Sequence, residues 1–165
     1  MIRLAKPTDY STIAAIVEPA FLEEFGVSTE NALIAQLRED GDVIFELVAE
    51  REGQVVGHIL YSRLWAASTQ LYAALAPMAV RQDLQKSGIG GELIRNSLEI
   101  ARQFGVHGIL VLGHPNYYAK FGFTTEAAAK VTSPFSGSPA FKGLALESGA
   151  FDDPLTVSYP SAFSG

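Results

Sequence analysis

The chain has 165 residues, 48% of them hydrophobic and 18% charged, which is the composition of a folded domain rather than of a disordered chain. The net charge of −6 argues against a general nucleic-acid surface and against a patch for anionic membranes. Because the sequence contains no cysteine, disulfides, thiolate nucleophiles and cysteine-bound zinc are excluded.

Hydropathy points to a protein without a membrane segment. No stretch approaches the roughly 18 consecutive apolar residues that a membrane span requires. The N-terminal residues lack the apolar run of a signal peptide. These features predict a cytoplasmic protein with no membrane partner. The length and the charge predict a single domain over residues 1–165 with no nucleic-acid partner.

The first part of the chain predicts a short strand followed by two helices. Residues 2–6 have the pattern of an edge strand, and a capping residue at position 8 or 9 begins a helix that runs to about residue 20. A second helix is predicted from Thr29 to about Gly41. Between the helices, the sequence FLEEFGVS predicts a loop with two carboxylates.

The middle of the chain predicts a hairpin and then a parallel βαβ unit. Residues 45–50 and 54–62 have the alternation of two antiparallel strands joined by a tight turn. A further strand over 71–80 is interrupted by Pro77, which cannot donate a hydrogen bond, so we expect that strand to be bulged or splayed there. An amphipathic helix leads to the wholly apolar run 108–113, which is typical of a strand buried on both faces.

The last part of the chain is less regular. PNYYAKF predicts a short helix with Pro115 at or near its first turn and Gly122 at its end. Beyond it, a stretch rich in Ser, Pro and Gly is followed by weak strand signals at 143–147 and 155–160. No repeat of 20 to 50 residues occurs, so solenoids and propellers are excluded.

Three glycines lie between the Pro77-containing strand and the amphipathic helix. A glycine-rich turn at that junction is a common way to hold phosphate, because free N–H groups and the positive helix end converge on an anion. The dinucleotide motif G-x-G-x-x-G fails, because Leu93 stands three residues after Gly90, and no P-loop sequence is present. The pattern that fits is Q-x-x-G-x-G, formed by Gln85, Gly88 and Gly90.

This pattern resembles the GNAT N-acetyltransferase superfamily, whose hallmark at the same junction is [QR]-x-x-G-x-[GA]. A second motif agrees, since Tyr118, three further residues and then Gly122 and Phe123 resemble the later Tyr-x-x-x-Gly-Phe motif of the family. The order of elements also matches. The segments VVGHIL, APMAV and VLGHPNYYAKFGF are similar to the small bacterial single-domain acetyltransferases whose substrates are mostly unassigned.

The resemblance implies an α/β fold, α+β in some schemes, with a mixed sheet of about six to seven strands, a splayed parallel pair and about four flanking helices. In that family acetyl-coenzyme A lies in the V-shaped gap between the splayed strands, and the position of Pro77 agrees with such a gap. By position, the donor site would comprise main-chain groups of the strand end and the glycine turn: Met78, Ala79, Val80, Gln85, Lys86, Ser87, Gly88, Ile89, Gly90 and Gly91. Lys86 would add charge or be an ordinary solvated lysine, and Gly91 lies outside the motif and can serve packing.

The resemblance also implies direct attack of a neutral amine of a small molecule or peptide on the thioester. Tyr118 is the candidate general acid, because a phenol can protonate the departing thiolate. Tyr117 is expected to point elsewhere and to pack.

The sequence does not identify the general base. Many family members use a glutamate on the strand that corresponds to residues 71–80, and this strand contains no Asp or Glu. The alternatives are Glu23, Glu24, His58, His114 or a chain of water molecules. Because His114 follows a buried strand at its C-terminal end, where ligands of open α/β sheets collect, it is favoured over His58.

Other functions remain open as alternatives. A non-catalytic acyl-CoA-binding module would use the same scaffold, and the missing strand carboxylate keeps this alternative open. A different acyl donor is a third, weaker option. The three histidines share no ligand spacing, so no metal is expected. Members of this family often pair through their C-terminal strands, so a homodimer is one assembly that the resemblance implies.

Overall fold

The computed structural model describes residues 1–26, 28–114 and 116–164. Its α-helices are α1 (Tyr10–Phe25), α2 (Glu30–Asp40), α3 (Ile89–Gln103) and α4 (Thr125–Ala128). Its strands are β1 (Ile2–Leu4), β2 (Val43–Arg51), β3 (Gln54–Ala66), β4 (Leu71–Val80), β5 (Val106–Leu112), β6 (Val131–Thr132), β7 (Phe141–Ala145) and β8 (Leu155–Ser158). Short 3-10 turns lie at Pro7–Asp9, Gln82–Leu84, Tyr118–Phe121 and Ser161–Ser164.

The strands form one mixed sheet in the order β1-β2-β3-β4-β5-β7, and β8 pairs with both β3 and β6. Strands β4 and β5 run parallel and are joined by α3, whereas β1 to β4 pair antiparallel in sequence and β5 pairs antiparallel with β7. The predicted hairpin and βαβ unit are therefore confirmed, as is the mixed α/β class. The sheet has eight strands, one more than the upper end of the prediction, and the two-residue β6 is too short to leave a periodic pattern.

Helices cover both faces of the sheet, which explains why its central strands are apolar on both sides. On one face, Leu47 and Ile59 pack in the cluster that contains Leu93 of α3. On the opposite face, their neighbours Val48 and Leu60 pack in the cluster that contains buried residues of α1 and α2. Consecutive strand residues point to opposite faces, so one run of apolar residues fills both layers.

Helix α1 is longer than predicted, and this moves two candidate residues. It continues through Pro19 to Phe25 and ends at Gly26, whose φ of 74° is the left-handed cap that favours glycine. Glu23 and Glu24 thus lie in the last turns of a helix, not in a loop as predicted. The helix passes Pro19 because its apolar face stays packed in the core as far as Phe21, and tertiary packing outweighs the local cost of proline.

The region after β5 follows the prediction in part. The tyrosine-containing turn Tyr118–Phe121 is helical and ends at Gly122, whose φ is 96°. The predicted position of Pro115 at the start of that turn falls outside the described residues. The weak strand signals correspond to β7 and β8, whereas the sequence did not indicate α4 or β6. Among the described residues, no helix has the length and apolar character needed to cross a membrane.

Candidate active site

Strands β4 and β5 separate in the middle of the sheet. Their parallel pairing ends at Ala74 and Leu110, after which β4 continues to Val80 beside β3, and β5 continues to Leu112 beside β7. The register between β3 and β4 also shifts next to Pro77, as Pro77 predicted. The edge of β4 that faces away from β3 therefore presents main-chain groups to the gap instead of to a neighbouring strand.

The glycine turn lies at the end of β4 and begins α3. Gly88 is the N-cap of α3, with a φ of 94° that favours glycine, and Lys86 also has a left-handed backbone, with φ 64°. The first N–H groups of α3 have no acceptor within the helix, so the turn presents a set of donors at the positive helix end. The Gln85 side chain donates to the Val80 carbonyl at 3.2 Å and thereby ties the turn to the strand.

The predicted donor-site residues do not all contribute in the same way. Ala79 and Ile89 have buried side chains in the apolar core, so only their main-chain groups are available to a ligand. Ser87 donates its hydroxyl to the Leu84 carbonyl, which stabilises the turn itself. Lys86 is exposed, and no hydrogen bond or ion pair joins it to another described residue. Gly91 faces Arg95, away from the strands, in agreement with a packing role.

Gly90 faces the gap and meets Tyr117. A Cβ atom at Gly90 would stand 2.8 Å from the Tyr117 hydroxyl and 3.6 Å from the Met78 side chain. The prediction that Tyr117 points elsewhere is therefore wrong. Tyr117 precedes the 3-10 turn as its N-cap, and its ring packs edge-on against Tyr118 and Phe121 at centroid distances of 5.2 and 5.5 Å. Its hydroxyl reaches the first turn of α3, next to the predicted donor site.

Tyr118 lines the same cavity as Tyr117, and its ring contacts the Tyr117 ring edge-on at a centroid distance of 5.2 Å. Its ring packs so closely on Gly113 that a Cβ there would stand 2.5 Å from the ring, and it contacts Phe123 edge-on at a centroid distance of 5.8 Å. Burial raises the pKa of Tyr118, and the neighbouring Tyr117 and Glu24 raise it further. The phenol therefore keeps its proton at neutral pH and is available as a donor.

Two of the candidate bases form a pair. The His114 Nε2 atom and a Glu24 carboxylate oxygen are in hydrogen-bond contact. Both residues line the same cavity as Tyr118, although 90 residues separate them in the chain. An imidazole held by a carboxylate is an arrangement that accepts and passes on a proton.

The other two candidate bases lie elsewhere. Glu23 does not line the cavity and accepts a hydrogen bond of 2.6 Å from Gln82, which joins α1 to the turn after β4. His58 is fully buried and contacts Glu46 at 2.8 Å, and Glu46 also accepts two hydrogen bonds from Arg38. Burial lowers the pKa of His58. His58 is thus a neutral core residue in a structural network and not a base.

A cavity of about 1380 Å³ opens between the splayed strands, the first two helices and the C-terminal segment. Its described lining residues are Phe21, Glu24, Thr29, Glu30, Ala32, Leu33, Gln36 and Asp40 from the first two helices and their connection, residues 74–78 from β4, Leu110, Leu112, Gly113, His114, Tyr117 and Tyr118 from β5 and the segment after it, and Phe135, Ala140, Tyr159, Ser161, Ala162 and Phe163 from the C-terminal region. The glycine turn lies outside this lining. The arrangement is that of a two-part site, with a backbone-rich side at β4 and α3 and a side-chain-rich side at α1, α2 and the C-terminal region.

The sequence model of the acetyltransferase (GNAT) family matches residues 10–123. The chain belongs to this family. Its fold and its enzyme class, inferred above from two short motifs, are confirmed. Within the described part of this GNAT chain, no three His, Asp or Glu side chains are grouped in a way that could hold a metal ion.

Two relatives of this GNAT chain are proteins of Escherichia coli. The chain is 40% identical over 111 residues to the uncharacterized N-acetyltransferase YjhQ of Escherichia coli K12, a match that covers 64% of this chain and 61% of YjhQ. It is 32% identical over 129 residues to the uncharacterized N-acetyltransferase YhbS of the same strain, covering 77% of this chain and 75% of YhbS.

Solved structures agree over the whole chain. The crystal structure of YhbS from Escherichia coli in complex with CoA superimposes with a TM-score of 0.86 at 26% identity and covers 100% of this chain and 92% of that chain. A GNAT family acetyltransferase from Brucella melitensis in complex with acetyl-CoA superimposes with a TM-score of 0.82 at 32% identity, covering 99% and 97%. These likenesses extend beyond residue 123 and include the C-terminal strands.

Proposed function

We propose that this chain transfers the acetyl group of acetyl-CoA to a primary amine of a small molecule or peptide, by direct attack in a ternary complex. The observation that carries the proposal is the common cavity: the edge of β4, the Tyr118 phenol and the Glu24–His114 pair all face it. An acyl transfer needs a place for the thioester, a proton donor for the leaving group and a proton acceptor for the amine.

The donor is proposed to bind along β4 and on the glycine turn. Main-chain groups of Met78 and Val80 would pair with the pantetheine amides as a further strand, and the Met78 N–H would donate to the acetyl carbonyl. The N–H groups from Gln85 to Gly91 would hold the pyrophosphate at the start of α3. The relatives that were crystallised with CoA and acetyl-CoA support this choice of cosubstrate.

The proposed reaction follows from the placement of the acid and the base. The amine nitrogen forms a bond to the acetyl carbon, the carbon–sulfur bond breaks, and coenzyme A leaves as a thiolate. Tyr118, which burial keeps protonated, donates its proton to that sulfur. The Glu24–His114 pair takes the proton that the attacking nitrogen loses, and a later proton exchange with solvent restores the phenol. The products are an acetamide and free coenzyme A.

The test has a binding arm and a turnover arm. Coenzyme A should raise the melting temperature of the full chain, by an amount that increases with ligand concentration. Incubation with acetyl-CoA and a panel of primary amines should release free thiol and yield an acetylated amine identified by mass. Absence of a shift at millimolar coenzyme A would overturn the donor assignment. A shift without thiol release from any amine would indicate the non-catalytic acyl-CoA-binding module instead.

A further inference from the structure

The cavity is larger than one ligand needs. Small-molecule pockets usually enclose about 300–1,000 Å³, whereas this cavity measures about 1380 Å³. If the acetyl end of the donor lies along β4, several hundred cubic ångströms remain between α2 and the C-terminal segment. The residues that line this remainder, which we call the acceptor wall, are Glu30, Leu33, Asp40, Phe135, Tyr159 and Phe163.

The charge of the lining has one sign. Its described residues include the carboxyl groups of Glu24, Glu30 and Asp40 and include no lysine or arginine. Glu24 contacts His114, and Asp40 accepts a hydrogen bond of 2.8 Å from Gln36. An anionic group on the acceptor would therefore meet carboxylates without a lysine or arginine to pair with.

Glu30 differs from the other two carboxylates. It is half-buried in the first turn of α2, and no hydrogen bond or ion pair joins its side chain to another described residue. Burial raises its pKa, because the carboxylate has lost part of its contact with water. A cationic ligand in the cavity would supply a partner.

Three aromatic rings belong to the acceptor wall. Phe135 and Tyr159 contact edge to face at a centroid distance of 5.2 Å, and Tyr159 and Phe163 do so at 5.4 Å. Burial raises the pKa of Tyr159, so this ring also stays neutral. Such a row buries flat apolar groups and also attracts an ammonium group through the ring faces.

We propose that the acceptor is a primary amine on an apolar, aromatic body that carries no carboxylate or phosphate group. The inference rests on the proposed function, since it names the substrate class of the same site. The aromatic row holds the body of the substrate, and the carboxylates of the cavity attract its ammonium group on entry. Amino acids are disfavoured because their α-carboxylate would lie among side chains of the same charge.

The test compares three probes that differ by one group. 2-Phenylethylamine has both features, phenylalanine adds a carboxylate, and ethylamine removes the ring. Titrated calorimetrically into the full chain saturated with coenzyme A, 2-phenylethylamine should bind about tenfold more tightly than either of the others, a difference of about 1.4 kcal/mol. Glu30→Gln should weaken 2-phenylethylamine about fivefold. Glu39→Gln is the matched control, because Glu39 is exposed on the same helix and does not line the cavity.

The outcomes separate this inference from the proposed function. Phenylalanine or ethylamine binding as tightly as 2-phenylethylamine, no binding of any probe at millimolar concentration, or equal loss in Glu30→Gln and Glu39→Gln would each overturn the substrate class. If coenzyme A does not bind, the donor assignment fails, and the same titrations on the free chain still test the acceptor wall. The predicted preference without thiol release would uphold the substrate class and refute catalysis.

Discussion

The two parts of the proposed site are built in different ways. The proposed donor side is one continuous segment, residues 76–91, whose glycine turn lies outside the cavity lining, and it would offer main-chain groups of β4 and of the first turn of α3. The proposed acceptor side combines side chains of α1, α2, the segment after β5 and the C-terminal residues. Glu24 and His114 alone are 90 positions apart in the chain. A backbone site requires glycine and proline at fixed spacing, whereas a side-chain site requires only that the fold bring the residues together.

The first and largest expected effect concerns the attachment of the acceptor side to the sheet. Arg38 of α2 donates to Glu46 of β2 at 2.8 and 3.0 Å, and Glu46 contacts the buried His58. Glu46→Gln leaves Arg38 without its carboxylate, so we expect the free energy of unfolding to fall by about 3 kcal/mol. Urea denaturation measures it. The exposed variant Glu39→Gln should stay within about 0.5 kcal/mol of the parent chain.

The pH dependence of stability gives a second measure of this attachment. Burial raises the pKa of Glu46, but its hydrogen bonds to His58 and Arg38 outweigh burial and bring it to about 2, from an ordinary value of 4.5. A depressed carboxyl pKa stabilises the fold above the ordinary value, and the stabilisation is lost as pH falls toward 2. Glu46→Gln should therefore flatten the acid limb of the stability curve, leaving the part due to Asp9, whose pKa is also about 2. An unchanged limb would contradict this role.

Tyr118→Phe tests the proposed general acid. It removes the proposed acid and keeps the ring that packs on Gly113, so we expect the rate of thiol release to fall about 100-fold while coenzyme A affinity stays the same. A stopped assay of free thiol at saturating acetyl-CoA measures the rate. Tyr117→Phe is the matched comparison, since the Tyr117 hydroxyl lies at Gly90 and should mainly affect binding. A larger rate loss in Tyr117→Phe would transfer the acid role to Tyr117.

The sequence predicts the donor side of the proposed site better than the acceptor side. Strand β4, the glycine turn and the Tyr118 turn were predicted because each rests on local requirements: proline in a strand, glycine at a positive φ, and a helix start. The predicted orientation of Tyr117 was wrong, although it does pack as predicted, and α1 was predicted too short, because side-chain orientation and packing across Pro19 depend on distant residues. The aromatic row of the acceptor wall was missed for the same reason, since Phe135 and Tyr159 share no periodic element.

Gly90→Val should affect the donor side alone. A Cβ at Gly90 already stands 2.8 Å from the Tyr117 hydroxyl, and the further methyl groups would occupy space beside Met78. We expect the dissociation constant of coenzyme A to rise about 30-fold, which corresponds to about 2 kcal/mol. Gly91→Ala controls for the general cost of altering the first turn, because it meets only the flexible Arg95 side chain. Parental affinity in Gly90→Val would refute a close approach of the ligand at this position.

The smallest expected effect is on the acceptor side, where adjacent glutamates form a matched pair. Glu24 contacts His114 in the cavity, whereas Glu23 contacts Gln82 outside it. Glu24→Gln removes the carboxylate that contacts and orients His114, so we expect kcat/KM to fall about tenfold and to recover as pH rises, when more amine is already neutral. Glu23→Gln should leave the pH profile unchanged. Equal losses in both variants would show that the end of α1 acts only through structure, and solvent would then be the proton acceptor.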